Sequence, residues 1–188
     1  MLDAAVLVPP GLRDLLLSVA HVGVFRPVWQ EEIEDEVRRN GARLRVKRGV
    51  DGDVAAREVA TTITQMNIAF PDARLDSHLW LPLVGTMTND PKDRHVLAAA
   101  VGATATHVIT FNMRDFPVPS RPAGVTLLRP DAFLLDCLED DQERVLEAVK
   151  RMAARHRNPT HSVEELAALI KGGRHVARFG TRLVALLG

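Results

Sequence analysis

Two short runs rich in β-branched and apolar residues, 106–111 and 125–128, constrain this chain more than any other feature. Both read as buried strands. The segment ahead of the first has the order of a helix start. Asp90 stands as the cap, Pro91 falls in the first turn, Asp93 takes the third helical position, and the helix 91–101 closes at Gly102. Strands separated by helices predict an α/β domain with a largely parallel sheet.

The rest of the chain divides into two parts. Residues 2–8 are apolar and read as a first strand and its exit, broken by Pro9-Pro10-Gly11. Leu12, Leu15, Leu16, Val19 and Ala20 then recur at helical spacing. A short extended piece is expected at 24–28, and a helix at 30–40 with Ile33 and Val37 facing inward. Gly41 and Gly49 bracket a basic connector at 43–48. A longer helix is expected at 51–70 and a loop at 71–77, while 78–84 reads equally as strand or irregular core. Beyond Asp131 no strand signal appears. Helical patterns at 140–157, 162–170 and 174–187 are punctuated by Asn158-Pro159-Thr160 and Gly172-Gly173, and Ser162 with Glu165 forms a capping box. The expectation is an α/β domain over 1–131 and an all-helical appendage over 136–188.

Composition excludes several classes. The 188 residues carry 24 Lys and Arg against 24 Asp and Glu, so no global field favours nucleic acid or membrane. Locally, five of the six residues from Glu31 to Glu36 are acids, and six of the eleven from Arg38 to Arg48 are bases. Cys137 stands alone, which excludes an internal disulfide and fits a reducing compartment. The histidines and Cys137 show neither HExxH nor CxxC spacing, against a structural zinc site. No apolar run approaches the roughly 18 residues of a membrane span, and Asp3, Pro9, Pro10, Arg13 and Asp14 interrupt any signal-peptide core. A soluble cytoplasmic protein is expected.

Four acids are candidates for chemistry. Ligands of open α/β sheets bind beyond the carboxyl ends of strands. Asp3 lies in the first apolar segment, Asp115 follows the strand at 106–111, Asp93 opens the helix before that strand, and Glu36 rides on the helix oriented by Ile33 and Val37. Carboxylates converging in one cleft raise one another's pKa, and a hard divalent cation resolves the conflict. Such a centre serves phosphodiester hydrolysis, through a bound water of lowered pKa. A bland alternative stands beside each. Asp90 and Asp93 are explicable as helix caps, Glu36 as a solvated member of its acidic run, and Asp115 as a turn residue before Phe116-Pro117. Asp3 resists that treatment, because a charge inside an apolar segment is costly unless paired or ligating. His95 reads as a packing or helix-surface histidine. His156, His161 and His175 suggest no ligand geometry, and Cys137 reads as a small buried apolar residue.

The segments LDAAVLVPPGLRDLLL, NDPKDRHVLAAAV and VITFNMRDFP, in that order, resemble the PIN-domain nucleases, and within them the VapC-type toxins of bacterial toxin–antitoxin pairs. The resemblance covers about residues 2–130, and the helical tail is similar to the extra C-terminal domain of one subgroup. It implies a three-layer α/β/α domain with a mostly parallel sheet, and a Mg²⁺- or Mn²⁺-dependent endoribonuclease held inactive by a cognate antitoxin. It also assigns residues. The first-strand aspartate corresponds to Asp3, the helix acid to Glu36 (with Glu32 as rival, four positions earlier), and the aspartate before VLAAA to Asp93 with Asp90 beside it. The TxNxxDF block supplies Asp115, with Thr110 and Asn112 as polar supports. Asp3 and Asp93 are the foremost metal ligands. Only Met1 and Leu2 precede Asp3, where relatives carry several strand residues. The first strand is therefore expected to be short and frayed, or the reading frame to start earlier, and either weakens Asp3. Ala5 replaces a cysteine common in relatives.

The basic stretch has two readings: Arg43, Arg45 and Lys47 grip RNA phosphates without sequence choice, or they form a solvated loop paired with the acids at 31–36. With two Trp, six Phe and no Tyr, recognition by RNA shape and backbone outweighs base stacking. The expected partners are an RNA substrate and a cognate antitoxin, with no membrane and room for a homodimer. The competing function is a catalytically weak PIN-like module that binds RNA or a protein partner. An aspartyl phosphatase is disfavoured, since the second aspartate it needs falls at Ala5.

Overall fold

The computed structural model describes residues 1–155 and 159–188. His156 and Asn158, with the end of the helix expected at 140–157, lie outside the described residues. The chain runs through α1 (Ala4–Leu7), α2 (Pro10–His21), α3 (Glu31–Val46) and α4 (Gly52–Ala69). It continues through α5 (Ser77–Trp80), α6 (Arg94–Gly102), β1 (His107–Ile109) and β2 (Thr126–Leu128). Then come α7 (Pro130–Asp140), α8 (Gln142–Arg155), α9 (Val163–Gly172) and α10 (Ala177–Leu187). Two compact units share these elements: one holds Met1–Pro9 and Pro27–Leu128, the other Pro10–Arg26 and Arg129–Gly188. The helical unit thus takes in α2, an early segment that the sequence groups with the α/β part.

In the first unit β1 and β2 pair in parallel, with Val108 opposite Leu127. On the other edge of β1, Leu2 forms an isolated parallel bridge with Ile109. The Asp3 N–H donates to Ile109 O at 3.1 Å, and the Ile109 N–H donates to Met1 O at 2.9 Å. Paired on both edges, β1 is buried at Val108 and Ile109, which explains a continuous apolar run without alternation. The first strand is thus cut to a bridge. Residues 4–7, expected as strand, are a helical turn with Ala4, Val6 and Leu7 buried, since a short apolar run does not distinguish a strand from a buried helix. The ambiguous 78–84 segment is α5 followed by a 3-10 stretch, Leu81–Thr86.

Trp29 anchors the start of α3. It is fully buried, its N–H donates to Ala73 O at 2.9 Å, and its indole Nε1 donates to Asn67 Oδ1 at 3.1 Å. Helix α3 does not stop at Asn40 but runs on to Val46, so the expected basic connector is largely its last turns. Gly41 therefore lies mid-helix, where glycine costs about 1 kcal/mol relative to alanine. Packing against α4 accounts for it: a Cβ at 41 would sit 3.2 and 3.3 Å from the two Val59 methyls. Asp51 caps α4, accepting from the N–H groups of Asp53 and Val54 at 3.0 and 3.1 Å.

The second unit is all helical among its described residues. Helix α2 packs on α8, and α10 packs on α9 and α7. Arg155 Nη2 donates to Ser18 Oγ at 2.7 Å, and Ser18 Oγ donates to Asp14 O. Phe25 and Phe133 meet edge to face, with centroids 4.9 Å apart. The Ser162/Glu165 capping box is present with both bonds, at 3.1 and 2.8 Å. Val145, Val149, Leu166, Ile170, Phe179 and Leu183 are buried, while Leu169 is exposed.

Candidate metal centre

Asp3 is held where the first bridge ends. Its side chain is buried, at 4% exposure for the residue, and Thr110 Oγ1 donates to its Oδ2. Thr110 is itself fully buried and accepts from the Asn112 N–H at 2.9 Å. Asn112 therefore supports the site through its backbone. Burial pushes the Asp3 carboxyl above its ordinary range. Thr110 opposes that shift, the charge of Glu36 adds to it, and the nearby N–H groups of Ala4 and Ala5 pull back.

Asp93 departs from its expected place. Pro91–Asp93 is a 3-10 turn, capped by Asp90 Oδ1 accepting from the Lys92 N–H at 3.1 Å. Helix α6 begins only at Arg94, so Asp93 is the residue before the helix rather than its third position, and its side chain makes no capping bond. Asp90 is thus a cap and Asp93 is not. Asp93 Oδ2 is buried with no hydrogen-bond partner. Its carboxyl is pushed up to about 6, first by burial, then by Asp115, with Lys92 opposing and Asp3 and Glu36 adding smaller increments. Lys92 Nζ stands 3.8 Å from Asp93 Oδ2 and 3.8 Å from Asp115 Oδ2, beyond hydrogen-bond reach of either. The charges of Asp3, Glu36 and Asp115 all bear on Asp93.

Glu36 enters from α3, and its Oε1 lies 3.4 Å from His95 Nε2. His95 is not a surface histidine: its other ring nitrogen, Nδ1, is 2.8 Å from Gln30 Nε2, which also donates to His95 O at 3.1 Å. Glu36, and not Glu32, is the α3 acid whose charge raises both Asp3 and Asp93. Glu34, unremarked in the sequence, is buried for structural reasons: it accepts from Asn67 Nδ2 at 2.8 Å and pairs with Arg38 and Arg74. Gln30 and Lys92 stand beside the candidate residues without having been singled out in the sequence, and His95, read there as a packing or helix-surface histidine, packs against Gln30 and Glu36. The only local signal is the position of Lys92 and His95 on either side of Asp93.

Of the three candidate phosphate-binding residues, Arg43 and Arg45 lie on α3 and Lys47 just follows it. Arg43 and Lys47 are exposed, while Arg45 Nε pairs with Glu58 Oε2 at 3.0 Å. Cys137 is buried, and its thiol is pushed up to about 12, chiefly by burial. That makes it inert rather than nucleophilic.

Among the described residues, no three His, Cys, Asp or Glu side chains are grouped closely enough to form a ready-made metal cage. The fit to a hard cation comes instead from the donor set. It is all oxygen, it carries four carboxyl groups against Lys92, and it includes Asp93 Oδ2, which no hydrogen bond satisfies.

The family model described as PIN domain matches residues 1–114, and the one described as VapC50 C-terminal domain matches residues 130–183. Over 101 residues the chain is 34% identical to a Mycobacterium tuberculosis protein named "Putative ribonuclease VapC50". The match covers 53% of this chain and 59% of that relative, so the chain spans less than two thirds of the relative's length. No solved structure matches the chain.

Proposed function

Because the chain belongs to the PIN-domain family, we propose that it is a Mg²⁺- or Mn²⁺-dependent endoribonuclease and the toxin of a toxin–antitoxin pair. The observation that carries this reading is Asp93 Oδ2, a buried carboxylate oxygen without a hydrogen-bond partner, with only Lys92 Nζ at 3.8 Å to set against the charges of Asp3, Glu36 and Asp115. Left so, it costs stability; offered to a cation, it becomes a ligand. Asp3 and Asp93 would hold the ion, with Glu36 and Asp115 completing the negative field. A divalent cation there supplies a water of lowered pKa and neutralises charge on the phosphodiester.

The chain's own residues supply the rest. Thr110 orients Asp3 by donating to one of its carboxylate oxygens. Lys92, exposed beside Asp93 and Asp115, places a positive charge at the edge of the group, where a phosphate arrives. At pH 7 a carboxyl titrating near 6 is mostly ionised and ready to ligate. Arg43, Arg45 and Lys47 would bind RNA backbone. We assign the chemistry to residues 1–131 and no ligand to the helices of 136–188. With RNA as the proposed substrate we assign the protein to the cytoplasm; no described helix is long and apolar enough to cross a membrane.

The test is cleavage of structured RNA by the purified protein with Mn²⁺ or Mg²⁺, abolished by a chelator. One observation favours a second reading, a catalytically weak module that binds RNA or a protein partner: the acids are not drawn into a ready cage. That reading predicts RNA binding with no cleavage in either metal.

A further inference from the structure

Gln30 is fully buried at the foot of α3, and its side-chain amide is committed to one residue. Nε2 lies 2.8 Å from His95 Nδ1 and 3.1 Å from His95 O. A backbone carbonyl only accepts, so the amide must present its NH₂ group to His95 and cannot be turned the other way. An NH₂ group only donates, so Nδ1 must be the bare, accepting nitrogen of the ring. In the neutral imidazole the proton then sits on Nε2, the nitrogen that faces Glu36 Oε1 at 3.4 Å.

We infer that Gln30 is a positioning residue of the acidic centre, fixing the His95 ring as the Nε2–H tautomer so that its N–H edge faces Glu36 Oε1, 3.4 Å away. The inference rests on the metal-centre reading for the role of Glu36, while the Gln30–His95 contact stands on geometry alone. Nothing in the local sequence signals it, because the partners lie 65 positions apart. Gln30 Oε1, buried and unpartnered, does not contribute; only the donor end acts.

Nitrogen-15 NMR of the imidazole in the full-length, metal-free protein, with pH raised until the ring signals stop moving, tests this directly. Wild-type His95 should show a protonated Nε2 and a bare Nδ1. Gln30→Glu, which presents only acceptors to the ring, should move the proton to Nδ1. Gln30→Leu should lose the tautomer preference, and its Mn²⁺ dissociation constant, read by calorimetry, should rise about tenfold or more, as orienting partners of metal ligands typically do. A wild-type ring protonated on Nδ1 overturns the inference without any variant. So does a folded Gln30→Leu protein, or Gln30→Met if that one fails to fold, that keeps both the tautomer and the Mn²⁺ affinity. Wild-type protein that binds no Mn²⁺ overturns the metal-centre reading instead, and the ring measurement still decides whether Gln30 sets His95.

Discussion

The hydroxyl of Thr110 donates to Asp3 Oδ2, joining two buried side chains 107 positions apart in the chain. The bond ties the exit of β1 to the residue that follows the Leu2 bridge, so strand pairing and site geometry depend on the same few atoms. Thr110→Val conserves shape and removes the donor. It should cost about 1–3 kcal/mol, the range for leaving a buried acceptor unsatisfied, and should raise the Asp3 carboxyl further, since Thr110 is the largest of the influences that lower it. Denaturant melts in the presence of a chelator measure the first effect. Carboxyl NMR titration measures the second, and an unmoved Asp3 titration would contradict the assigned role.

The Asp93 carboxyl is raised from an ordinary 3.8 to about 6. A group that binds its proton more tightly in the folded state favours folding below the unfolded value and loses that contribution as pH rises through the folded one. Metal-free protein should therefore lose stability from this group between about pH 4 and pH 6. Asp93→Asn removes the titration. The variant and wild type should match near pH 4, and the variant should gain by on the order of 1 kcal/mol, and no more than about 3, by pH 7. Asp3 shifts in the same direction, so part of the wild-type slope remains in the variant. Stability curves at several pH values, with chelator present, check the sign; a gap that shrinks with rising pH would contradict it.

Asp90 and Asp93 should separate cleanly. Asp90→Ala removes the cap on the Lys92 N–H and should cost about 1 kcal/mol while leaving stabilisation by Mn²⁺ intact. Asp93→Asn should do the reverse, because that stabilisation follows metal affinity. Melting temperatures with and without Mn²⁺ give both answers in one series.

That pair also marks how far the sequence can be read. The strands at 107–109 and 126–128 and the helix before them are legible, because β-branched runs and a proline-marked start are local signals. Asp93 is legible as a candidate but not in its place, since the 3-10 turn that moves it ahead of α6 leaves no separate trace in the sequence. Residues 2–8 read as strand because apolar character alone fits both a strand and a buried turn. The basic stretch reads as a loop because Gly41 and Gly49 suggest breaks; only the approach of Val59 shows why a glycine belongs inside α3. Gln30, Lys92 and His95 escape such reading because their roles are defined by partners brought near by the fold.

Arg43→Ala and Lys47→Ala should each weaken RNA binding and flatten its salt dependence, by about 0.7 in the logarithmic slope for each phosphate left without its cation. Arg45→Ala should also lose the pair with Glu58, an exposed pair worth no more than about 1 kcal/mol. Binding isotherms at several salt concentrations decide; an unchanged slope for Arg43 and Lys47 would return them to a solvated helix end.

Helix α2 packs on α8, so a chain ending at Leu128 should not behave as an independent nuclease. Leu12, Leu15, Leu16 and Val19 would lose that partner, and the truncated protein should aggregate or melt well below the full chain. A soluble, cooperatively folding product of that length would show that α2 does not depend on the C-terminal helices.

The proposed ribonuclease centre comprises Asp3, Glu36, Asp93 and Asp115 with a divalent cation. Its most direct test is single-turnover cleavage of a structured RNA with Mn²⁺ titrated into metal-stripped wild-type protein and, side by side, into Asp93→Asn. Wild-type cleavage should rise with Mn²⁺ and saturate, and the variant should not cleave at any concentration that saturates wild type, although it folds at least as stably without metal. Equal cleavage by the two proteins, or wild-type cleavage indifferent to Mn²⁺ and to chelator, would contradict it.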